Sequence, residues 1–573
     1  MEHSAHHDHG SCGVGQPAAT TPSANQGASQ PLNHAVSHAP DSPWLPLRHR
    51  VFRGLWVTGV IGNIGVWMHD VGAGWLMTTM DPSPLMVSLV QAAGTLPILF
   101  LALPAGALAD VVDRRKLLIA VQIGVVLLGA LLAILTLTGG VTPLALLAIT
   151  LGLGVATALT NPAWQTVMTE LVSREELAQA SALNSVSLNL SRAIGPALGG
   201  FIVAATSPAL VFVLRAFSVL GIIGVLSFWR YTRPVSAAPG ERFFGALRAG
   251  VRYVRHSHLM RSVLVRTAGF VLFATSLWAL MPLIAKEQLG TGALGYGVLL
   301  ACLGAGAVTT AALMPRLRRR FSTNQLVFGA TLLYAGALAG IALTSSTLVA
   351  YPLMVLAGGA WVTCVVCLNV SVQAGVPMWV RARALACYLA TFFGSMAIAS
   401  PLWGALAERY SIPIALLVSS AGMVLALGAL LRVRLAPVSR EDVDRSPHWE
   451  DPVVATEVRP DDGPVVVTIE YNVASENAEA FQAAMGPVAT TRYRDGATTW
   501  LLTRDTEKPE RWLEVFIVES WAEHLRQHGR TTLADRRVQE HARSFNVGGP
   551  PIVAHHVAAP VKPVHAPVDD ERA

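Results

Sequence analysis

Apolar stretches separated by short polar connections run along most of the chain. A helix needs about 20 apolar residues to cross a hydrocarbon core roughly 30 Å thick, and about twelve such stretches can be placed. They predict membrane helices at 52–78, 84–109, 117–138, 143–164, 183–205, 209–229, 262–285, 293–314, 324–344, 348–371, 382–406 and 412–432. The pattern is that of an all-α membrane protein.

Basic residues mark one side of this predicted bundle. Arginines precede the first helix and recur after the second, fourth, sixth, eighth and tenth helices. The alternate connections contain almost none, Lys286 and Arg409 being the exceptions. Because positively charged loops stay in the cytoplasm, we expect an even number of helices in an inner (plasma) membrane, with both termini cytoplasmic.

Some prolines and glycines of the first part of the bundle recur at the same spacing in its second part. Three positions recur 205 residues later in the chain: Pro196, Gly199 and Pro208 are matched by Pro401, Gly404 and Pro413. Parallel six-helix repeats are one way in which transporters place a site between two halves. We therefore expect an N-terminal half at 46–230 and a C-terminal half at 261–435.

The connection at 231–260 has its own pattern. Phe243, Leu247, Val251 and Val254 recur at helical spacing among arginines. This spacing predicts a cytoplasmic amphipathic linker lying on the membrane surface.

Both ends of the chain and the stretch after the bundle are polar. Residues 1–45 are rich in His, Ser, Pro, Ala and Gly, and they lack the apolar region of a signal peptide. We expect a disordered His-rich tail there, a linker at 436–463 and a second tail at 561–573. The first tail offers His3, His6, His7, His9 and Cys12 as metal ligands, but incidental affinity is the favoured interpretation. No metal site and no cofactor are predicted.

Composition narrows the class further. Of the 573 residues, 52% are hydrophobic and only 14% are charged, whereas soluble domains carry roughly 25% charged residues. The net charge of +6 is spread over the loops, which argues against a nucleic-acid partner. The P-loop pattern is absent from the sequence, so nucleotide-driven transport has no support.

The connection between the second and third helices reads GALADVVDRRK, from Gly106 to Lys116. A carboxylate such as Asp110, placed with Arg114 and Arg115 in a short turn, can act as a conformational latch by contacting helix N-termini or arginines of the other half. Ordinary positive charge after a packed glycine is the alternative.

The fifth helix contains RAIGPALGG. Gly195 and Gly199 lie one turn apart and are followed by Gly200, which lets two helices approach closely, while Pro196 removes a backbone donor and favours a bend. Tight packing alone would also explain these glycines.

Three ionisable side chains fall inside apolar spans. An ionisable group at the centre of a membrane helix costs about 2.5–3.5 kcal/mol on insertion scales, so Asp70, Arg192 and Arg215 are functional candidates. Asp70 is the candidate for proton coupling, with Arg192 as the opposing cation. Alternatively, Asp70 is solvated near the outer interface, and Arg192 has a structural partner or binds an anionic substrate.

Six polar side chains are candidates for lining a transport cavity. They are Asn63, Gln91, Asn161, Asn189, Asn369 and Gln373. Hydrogen bonds between helices would use the same residue types.

The motifs resemble one known family. The loop Gly106–Lys116 is similar to the signature loop of the major facilitator superfamily, with Asp113 where that pattern usually has glycine. WMHDVGAGWLM, TELVSREELAQASALNS, NLSRAIGPALGG and VPMWVRARALACY resemble the branch that includes the enterobactin exporter and the transmembrane secretion effectors. The resemblance runs through nearly all of 46–435.

This resemblance implies a twelve-helix major facilitator fold in two six-helix halves. It implies proton-driven export of a small molecule, siderophore-, drug- or metabolite-like, by alternating access. Asp110 and Arg114 would then hold the halves together while the cavity faces outward, and RAIGPALGG would be an antiporter-like motif.

Residues 464–560 predict a separate domain. VVVTIEYNV alternates as a strand with Val467, Ile469, Tyr471 and Val473 on one face. A helix follows, for which Ser475 is the expected cap. Strands near 498–504 and 511–518, helices near 521–528 and 532–545, and a strand near 551–558 complete a βαββαβ order, which predicts a ferredoxin-like α+β fold.

This domain resembles the dimeric barrel domain of antibiotic-biosynthesis monooxygenases. The resemblance implies dimerisation and names Tyr493, Trp512 and His524 as groups that a catalyst could use. We favour packing and dimer contact as the roles of these side chains, so no enzyme activity is predicted. The main hypothesis is a transporter whose partners are a small molecule, protons and the bilayer. Two hypotheses compete with it: an enzyme-linked membrane protein, and a sensor that has lost transport.

Overall fold

The computed structural model describes residues 44–229, 243–433, 439–446 and 457–559, together with Ser42 and isolated positions between 435 and 455. The chain divides into two units, Met1–Ser42 and Pro43–Ala573, and every helix and strand given below belongs to the second unit. The predicted His-rich tail, the first part of the predicted amphipathic linker and the tail at 561–573 lie outside the described residues.

The membrane part is built from helices throughout its described ranges. They are α1 (Arg50–Met80), α2 (Pro84–Val111), α3 (Arg114–Leu137), α4 (Pro143–Glu170), α5 (Leu177–Ala205), α6 (Pro208–Ser218), α7 (Leu220–Phe228), α8 (Phe243–His256), α9 (His258–Leu283), α10 (Gly292–Arg320), α11 (Thr323–Leu343), α12 (Thr347–Gly375), α13 (Arg381–Arg409) and α14 (Ile412–Ala429).

Among the described residues, 12 helical segments are long and apolar enough to cross a membrane. The sixth segment combines α6 and α7, and the seventh extends α9 through the π-helical turn Ile284–Gln288. The prediction of a twelve-helix membrane protein is therefore confirmed. Several helices extend beyond their predicted spans, as α4 does to Glu170.

Local sequence signals explain where these helices begin. Ser83 caps α2 by accepting a hydrogen bond from the backbone N–H of Met86 at 3.4 Å. Pro84 follows in the first turn, where a backbone N–H group has no partner within the helix, so the N–H that proline lacks costs no hydrogen bond. Thr142 and Pro143 begin α4 in the same way.

The two most extensive helix–helix interfaces between the halves are those of α5 with α10 and of α2 with α13. A Cβ atom built on Gly200 of α5 would lie 2.7 Å from the Cα atom of Gly297 in α10. A Cβ atom built on Gly404 of α13 would lie 2.7 Å from the carbonyl oxygen of Pro84 in α2. Glycine therefore allows close approach at both interfaces, and these occupy equivalent places in the two halves.

The described hydrogen bonds between the halves all lie at the end of the bundle away from the termini. Lys286 donates to the carbonyl oxygen of Thr78 near the end of α1. Glu408, near the end of α13, accepts from Ser83 Oγ at 2.9 Å and from the backbone N–H of Leu85 at 3.3 Å. We call this end, formed by Thr78, Ser83, Lys286 and Glu408, the outer end.

The C-terminal domain contains a four-stranded antiparallel sheet. Its strands are β1 (Val465–Asn472), β2 (Ala497–Arg504), β3 (Arg511–Val518) and β4 (Ile552–Val557), in the order β2-β3-β1-β4. Its helices are α15 (Ala478–Asp495), α16 (Trp521–His528) and α17 (Leu533–Arg543). This order confirms the predicted ferredoxin-like α+β fold.

The two faces of this sheet differ in burial. Val467, Ile469, Tyr471 and Val473 are buried on the face that carries the helices, as predicted. Ser475 does not cap α15: it begins a 3₁₀ turn, Ser475–Asn477, and the N-cap position falls on Asn477 without a side-chain hydrogen bond. The N-cap of α15 therefore lies at Asn477 and not at Ser475, the position that the sequence predicts.

The domain packs on α8 through charged and aromatic contacts. Arg252 of α8 forms a 2.9 Å ion pair with Glu523 of α16, and the ring of His256 stacks on Tyr493 of α15 with centroids 5.5 Å apart. Both charged side chains are largely buried, at 15% and 12% exposure. One face of α8 is therefore a docking surface for the C-terminal domain.

A second contact reaches the loop between α12 and α13. Trp379 in this loop packs edge-on against Tyr253 of α8 with ring centroids 5.8 Å apart. The guanidinium carbon of Arg530 lies 4.5 Å from the centre of the Trp379 ring, close enough for a cation–π contact. Arg494 lies over the ring of Tyr253 at 5.8 Å. Burial raises the pKa of the Tyr253 phenol to about 12, so this side chain is neutral.

Candidate functional site

A cavity of about 460 Å³ lies between the two halves. Helices α1, α2, α4, α5 and α6 contribute its walls from one half, and α9, α10, α12 and α13 from the other. Much of the wall is aromatic: Trp67, Trp278, Trp361, Tyr388, Phe392 and Phe393. Its volume is typical of a pocket for a drug-sized molecule.

Aromatic rings form a continuous surface across this cavity. Trp67 of the N-terminal half packs on Trp278 of the C-terminal half with ring centroids 6.3 Å apart. Trp278 packs in turn on Trp361 at 5.2 Å, and Trp361 meets Phe392 edge-on at 5.8 Å. Such a surface suits a ligand with flat apolar parts.

Asp70 of α1 borders the cavity and is accessible from it. Its charge interacts with Arg215 of α6, which is 8% exposed and donates to the carbonyl oxygen of Gly62 at 3.2 Å. Tyr296 of α10, in the other half, is also within electrostatic reach of Asp70. The carboxyl group is thus within electrostatic reach of a cation of its own half and of a phenol of the opposite half.

Arg192 of α5 borders the same cavity but has a different environment. Its guanidinium carbon lies 5.5 Å from the centre of the Trp67 ring. Its Nε atom is buried and has no hydrogen-bond partner among the described residues. The structure therefore brings Asp70 together with Arg215, and it leaves Arg192 as a cation on the aromatic wall.

Three of the six predicted polar candidates line the cavity, namely Gln91, Asn161 and Asn369. The other three make local or helix–helix hydrogen bonds. Asn63 donates to Ser187 Oγ at 3.5 Å, Asn189 donates to the carbonyl oxygen of Ser185 at 2.8 Å, and Gln373 donates to Asn369 one turn earlier.

The described contacts of Arg114 and Arg115, in the loop after α2, are made within the N-terminal half. Arg114 pairs with Glu170 of α4, and Arg115 donates to the carbonyl oxygen of Ser227 at 2.6 Å. Asp113 caps α3 by accepting a hydrogen bond from the backbone N–H of Lys116 at 3.1 Å. The aspartate that stands where the signature loop usually has glycine therefore has a structural role. The side chain of Asp110 lies outside the described residues, and the space beside Gly106 is open to at least 4 Å.

The glycines of RAIGPALGG contact two different helices. Cβ atoms built on Gly195 and Gly199 would lie 2.5 Å from Trp67 Cβ and 3.0 Å from Met68 Cα, both in α1. Gly200 faces α10 instead. Pro196 is buried within α5, and its carbonyl oxygen lies close to Gly297. The motif therefore allows close packing both within the N-terminal half and between the halves.

Tyr493, Trp512 and His524, the side chains of the C-terminal domain that a catalyst could use, are engaged in separate contacts. Tyr493 exchanges hydrogen bonds with the backbone of Trp500, and Trp512 packs edge-on against Phe481. Burial, aided by the charges of neighbouring histidines, lowers the pKa of the His524 imidazole to about 3, so its ring is neutral. No described contact joins the three side chains into one site.

Two six-helix halves around a cavity that holds a carboxylate, two arginines and an aromatic wall define a secondary transporter of the major facilitator fold. The transmembrane secretion effector family matches residues 41–563, and the chain belongs to this family. It is a multi-pass membrane transporter and not an enzyme.

Named relatives agree with this class. The staphyloferrin A transporter of Staphylococcus aureus (strain NCTC 8325 / PS 47) is 22% identical over 280 residues, 48% of this chain and 70% of that protein. The enterobactin exporter EntS of Salmonella choleraesuis (strain SC-B67) is 27% identical over 277 residues, 47% of this chain and 66% of that protein.

A solved structure shares the fold. A bacterial homologue of the human lysosomal transporter Spinster, in an inward-facing and unoccupied conformation, superimposes with a TM-score of 0.54 at 15% identity. The match covers 68% of this chain and 95% of the other. The family and fold predictions are confirmed for the membrane part, whereas the monooxygenase likeness of the C-terminal domain stays a prediction.

Sequence reasoning missed most of the aromatic wall. Trp278 and Trp361 look like ordinary apolar residues of a membrane helix, and only their position in the fold brings them to the cavity. His69 was also missed as a site residue: it is buried beside Phe212, and neither ring nitrogen has a hydrogen-bond partner among the described residues. Its position next to Asp70 in an apolar span was the available signal.

Proposed function

We propose that this protein exports amphiphilic small molecules by proton antiport, with Asp70 as the proton-carrying group. The observation that carries the proposal is the position of Asp70, accessible from the cavity and interacting with the buried Arg215. A carboxyl group in apolar surroundings favours its neutral form, and a nearby cation or entering water favours ionisation. Alternating access changes these surroundings once per cycle.

The two side chains that influence the charge of Asp70 belong to different halves of the protein. Arg215 lies in the same half, so it remains close to Asp70 when the halves rock. Tyr296 lies in the other half and is near Asp70 while the outer end is closed. Opening of the outer end would separate Tyr296 from Asp70 and admit water, which changes the proton affinity of the carboxyl group.

Arg192 supports an anionic substrate class. A partly buried guanidinium whose Nε atom has no partner among the described residues, set on an aromatic ring, can bind a carboxylate or a phenolate while the rings cover the apolar part of that ligand. The relatives named for staphyloferrin A and enterobactin are compatible with a substrate of this chemistry. Siderophore-like, drug-like and metabolite-like anions all fit it.

The charge pattern of the loops indicates to which side of the membrane the cavity opens. The positive-inside pattern favours cytoplasmic termini; with that orientation, the outer end would face outward and the present conformation would be inward-facing. The arginine-rich loop after α2 would then be cytoplasmic, where Arg114 would exchange its partner Glu170 for a contact across the halves when the cavity turns outward.

A dimer through the C-terminal domain is a further part of the proposal. The sheet face opposite the helices carries Val466, Leu513, Val515 and Ile517, which are only half buried in one chain. A second copy of the same sheet would cover this apolar face.

The test is transport in proteoliposomes. Comparing the anions that accumulate in cells with and without the gene supplies the transported probe. We expect Asp70→Asn to abolish transport driven by an imposed pH gradient but to retain exchange of labelled for unlabelled probe, because the shape of the cavity is kept and the titration is lost.

Two further variants separate coupling from binding. Arg192→Gln should weaken binding of the probe in both assays, since it removes the proposed anion contact. Glu287→Gln, which changes an exposed carboxyl group near the outer end, should leave both assays unchanged. Undiminished gradient-driven transport by Asp70→Asn would remove Asp70 from the mechanism.

A further inference from the structure

Three histidines of the C-terminal domain converge on one point. His524 and His528 lie one turn apart on α16, and His555 comes from β4. Each offers a ring nitrogen, and these nitrogen atoms all lie within 4.8 Å of one another. We call this group the His524 cluster.

The fold explains why these side chains meet. Residues four apart in a helix share a face, which places His524 and His528 side by side with ring centroids 4.8 Å apart. In β4, His555 is paired with Val467 of β1, whose side chain is buried on the face that carries the helices. The ring of His555 therefore points at α16, and its centroid lies 4.8 Å from that of His524.

The centre of the cluster holds polar groups without partners. His524 is 1% exposed, and neither of its ring nitrogens makes a hydrogen bond of ordinary geometry among the described residues, although the side chain of Gln527 lies close to it. The amide of Gln527, one residue before His528, is 1% exposed and is likewise without a partner at either polar atom. A buried polar group left without a partner typically costs about 1–3 kcal/mol, so the arrangement suits a bound ligand better than simple packing.

We propose that His524, His528 and His555 bind one divalent transition-metal ion, with Zn²⁺ as the representative. Imidazole nitrogen suits zinc, copper, nickel and iron, whereas magnesium and calcium require oxygen ligands. Three histidines leave one position of a tetrahedral ion open. The site is independent of the transport proposal, since it lies in the soluble domain.

The geometry requires a modest rearrangement. With Zn–N bonds of about 2.0–2.1 Å, the nitrogens of a tetrahedral site lie about 3.4 Å apart. The present separation of at most 4.8 Å therefore has to shrink by about 1.4 Å or less, which rotation of the side chains can supply. Trp521 packs against both His524 and His555, and Trp449 packs edge-on against His528, so aromatic rings limit solvent access to the ion.

The cluster adjoins the docking surface of the domain. Glu523, which pairs with Arg252 of α8, immediately precedes His524 in α16. Binding of an ion would fix the position of α16 relative to the sheet through His555, and it would thereby fix the helix that carries the docking carboxylate.

The experiment measures Zn²⁺ bound to the full-length protein in detergent, by equilibrium dialysis and elemental mass spectrometry. His528→Gln and His555→Gln change half-buried positions and should each lose one equivalent of tightly bound Zn²⁺ per chain. His556→Gln is the matched control, because His556 is exposed on the opposite face of the sheet. Histidines of the N-terminal tail are the same in all variants and cancel in the comparison.

A spectroscopic measurement identifies the ligands directly. With Co²⁺ in place of Zn²⁺, the parent protein and the His556→Gln variant should show the intense absorption of a tetrahedral nitrogen-ligated ion, and the two cluster variants should lack it. Equal Zn²⁺ stoichiometry in the parent and the cluster variants, or a Co²⁺ spectrum that these substitutions leave unchanged, would overturn the proposal.

Discussion

Replacement of Gly200 by alanine tests how the outer end is closed. A Cβ atom at this position would lie 2.7 Å from the Cα atom of Gly297, 2.9 Å from the carbonyl oxygen of Ala293 and 3.0 Å from the backbone nitrogen of Gly297. All three atoms belong to the backbone of α10 in the other half, so no side-chain rotation can relieve the contact. Carbon atoms pack best at about 3.5–4.0 Å, and α5 and α10 would have to separate by about 1 Å.

The expected size of the effect follows from this overlap. Overpacking of a close interface costs about 1–3 kcal/mol. The cost applies to the conformation in which α5 and α10 touch, and it is relieved when the outer end opens. Gly200→Ala should therefore shift the ratio of outer-closed to outer-open molecules by about 5- to 150-fold towards the open form.

Distances between spin labels in proteoliposomes measure this ratio. Labels at Thr206, after α5, and at Glu287, before α10, lie in exposed positions on the two sides of the outer end. In a background without the native cysteines, Gly200→Ala should increase the population with the longer distance.

Two glycines provide matched controls for this measurement. Gly199→Ala adds a methyl group against Met68 of its own half, at 3.0 Å from that residue's Cα atom, so it should lower stability without moving the halves apart. Gly224→Ala meets no atom within 4 Å and should change neither property. If Gly200→Ala gives the distance distribution of the parent protein, the contact between α5 and α10 does not hold the outer end closed.

Two other predictions concern the C-terminal domain. Arg252→Ala should increase hydrogen exchange in α8 and α15. Arg536→Ala, which removes an exposed ion pair within α17, should not. Equal exchange in both variants would count against docking through the Arg252–Glu523 ion pair. Burial alone would raise the pKa of Glu523, but its hydrogen bonds to arginines hold that pKa below the ordinary value, so docking should persist at neutral pH and weaken only as the pH falls below the usual glutamate range. Residues 464–560 expressed alone should sediment as a dimer without enzymatic turnover, and Ile517→Glu on the uncovered sheet face should give monomers; a monomeric parent domain would contradict the dimer proposal.

Periodicity and length were sufficient to predict the type and order of the main helices and strands, but not all of their boundaries. Twelve apolar stretches became twelve membrane segments, because only a helix satisfies the backbone within a bilayer. The βαββαβ order was readable from alternation in strands such as Val465–Asn472, and the sheet order followed from it. The start of α15 was misplaced because Ser475 begins a 3₁₀ turn that a capping rule does not distinguish from an α-helix.

The partners of the charged residues were not readable in the same way. Arg192 and Arg215 both lie in apolar spans, and nothing local to either residue says which one faces Asp70. The choice depends on the rotation of α5 and α6 against α1, which aligns Arg215 with Gly62 and sets Arg192 on Trp67. Likewise, the spacing of His524 and His528 is visible in the sequence, but His555 joins them only once β4 pairs with β1.

The attachment of the C-terminal domain is compatible with rocking of the halves. Its described contacts with the membrane part fall on α8 and on Trp379, which precedes α13 in the C-terminal half. Because α8 itself packs on α13, with Gly250 close to Arg383, these contacts belong to a single half. A rotation of the N-terminal half therefore leaves them intact, and the domain can remain docked through a complete cycle. Through these described contacts, a ligand bound to the domain would act on the transport cycle by way of α8 and the C-terminal half.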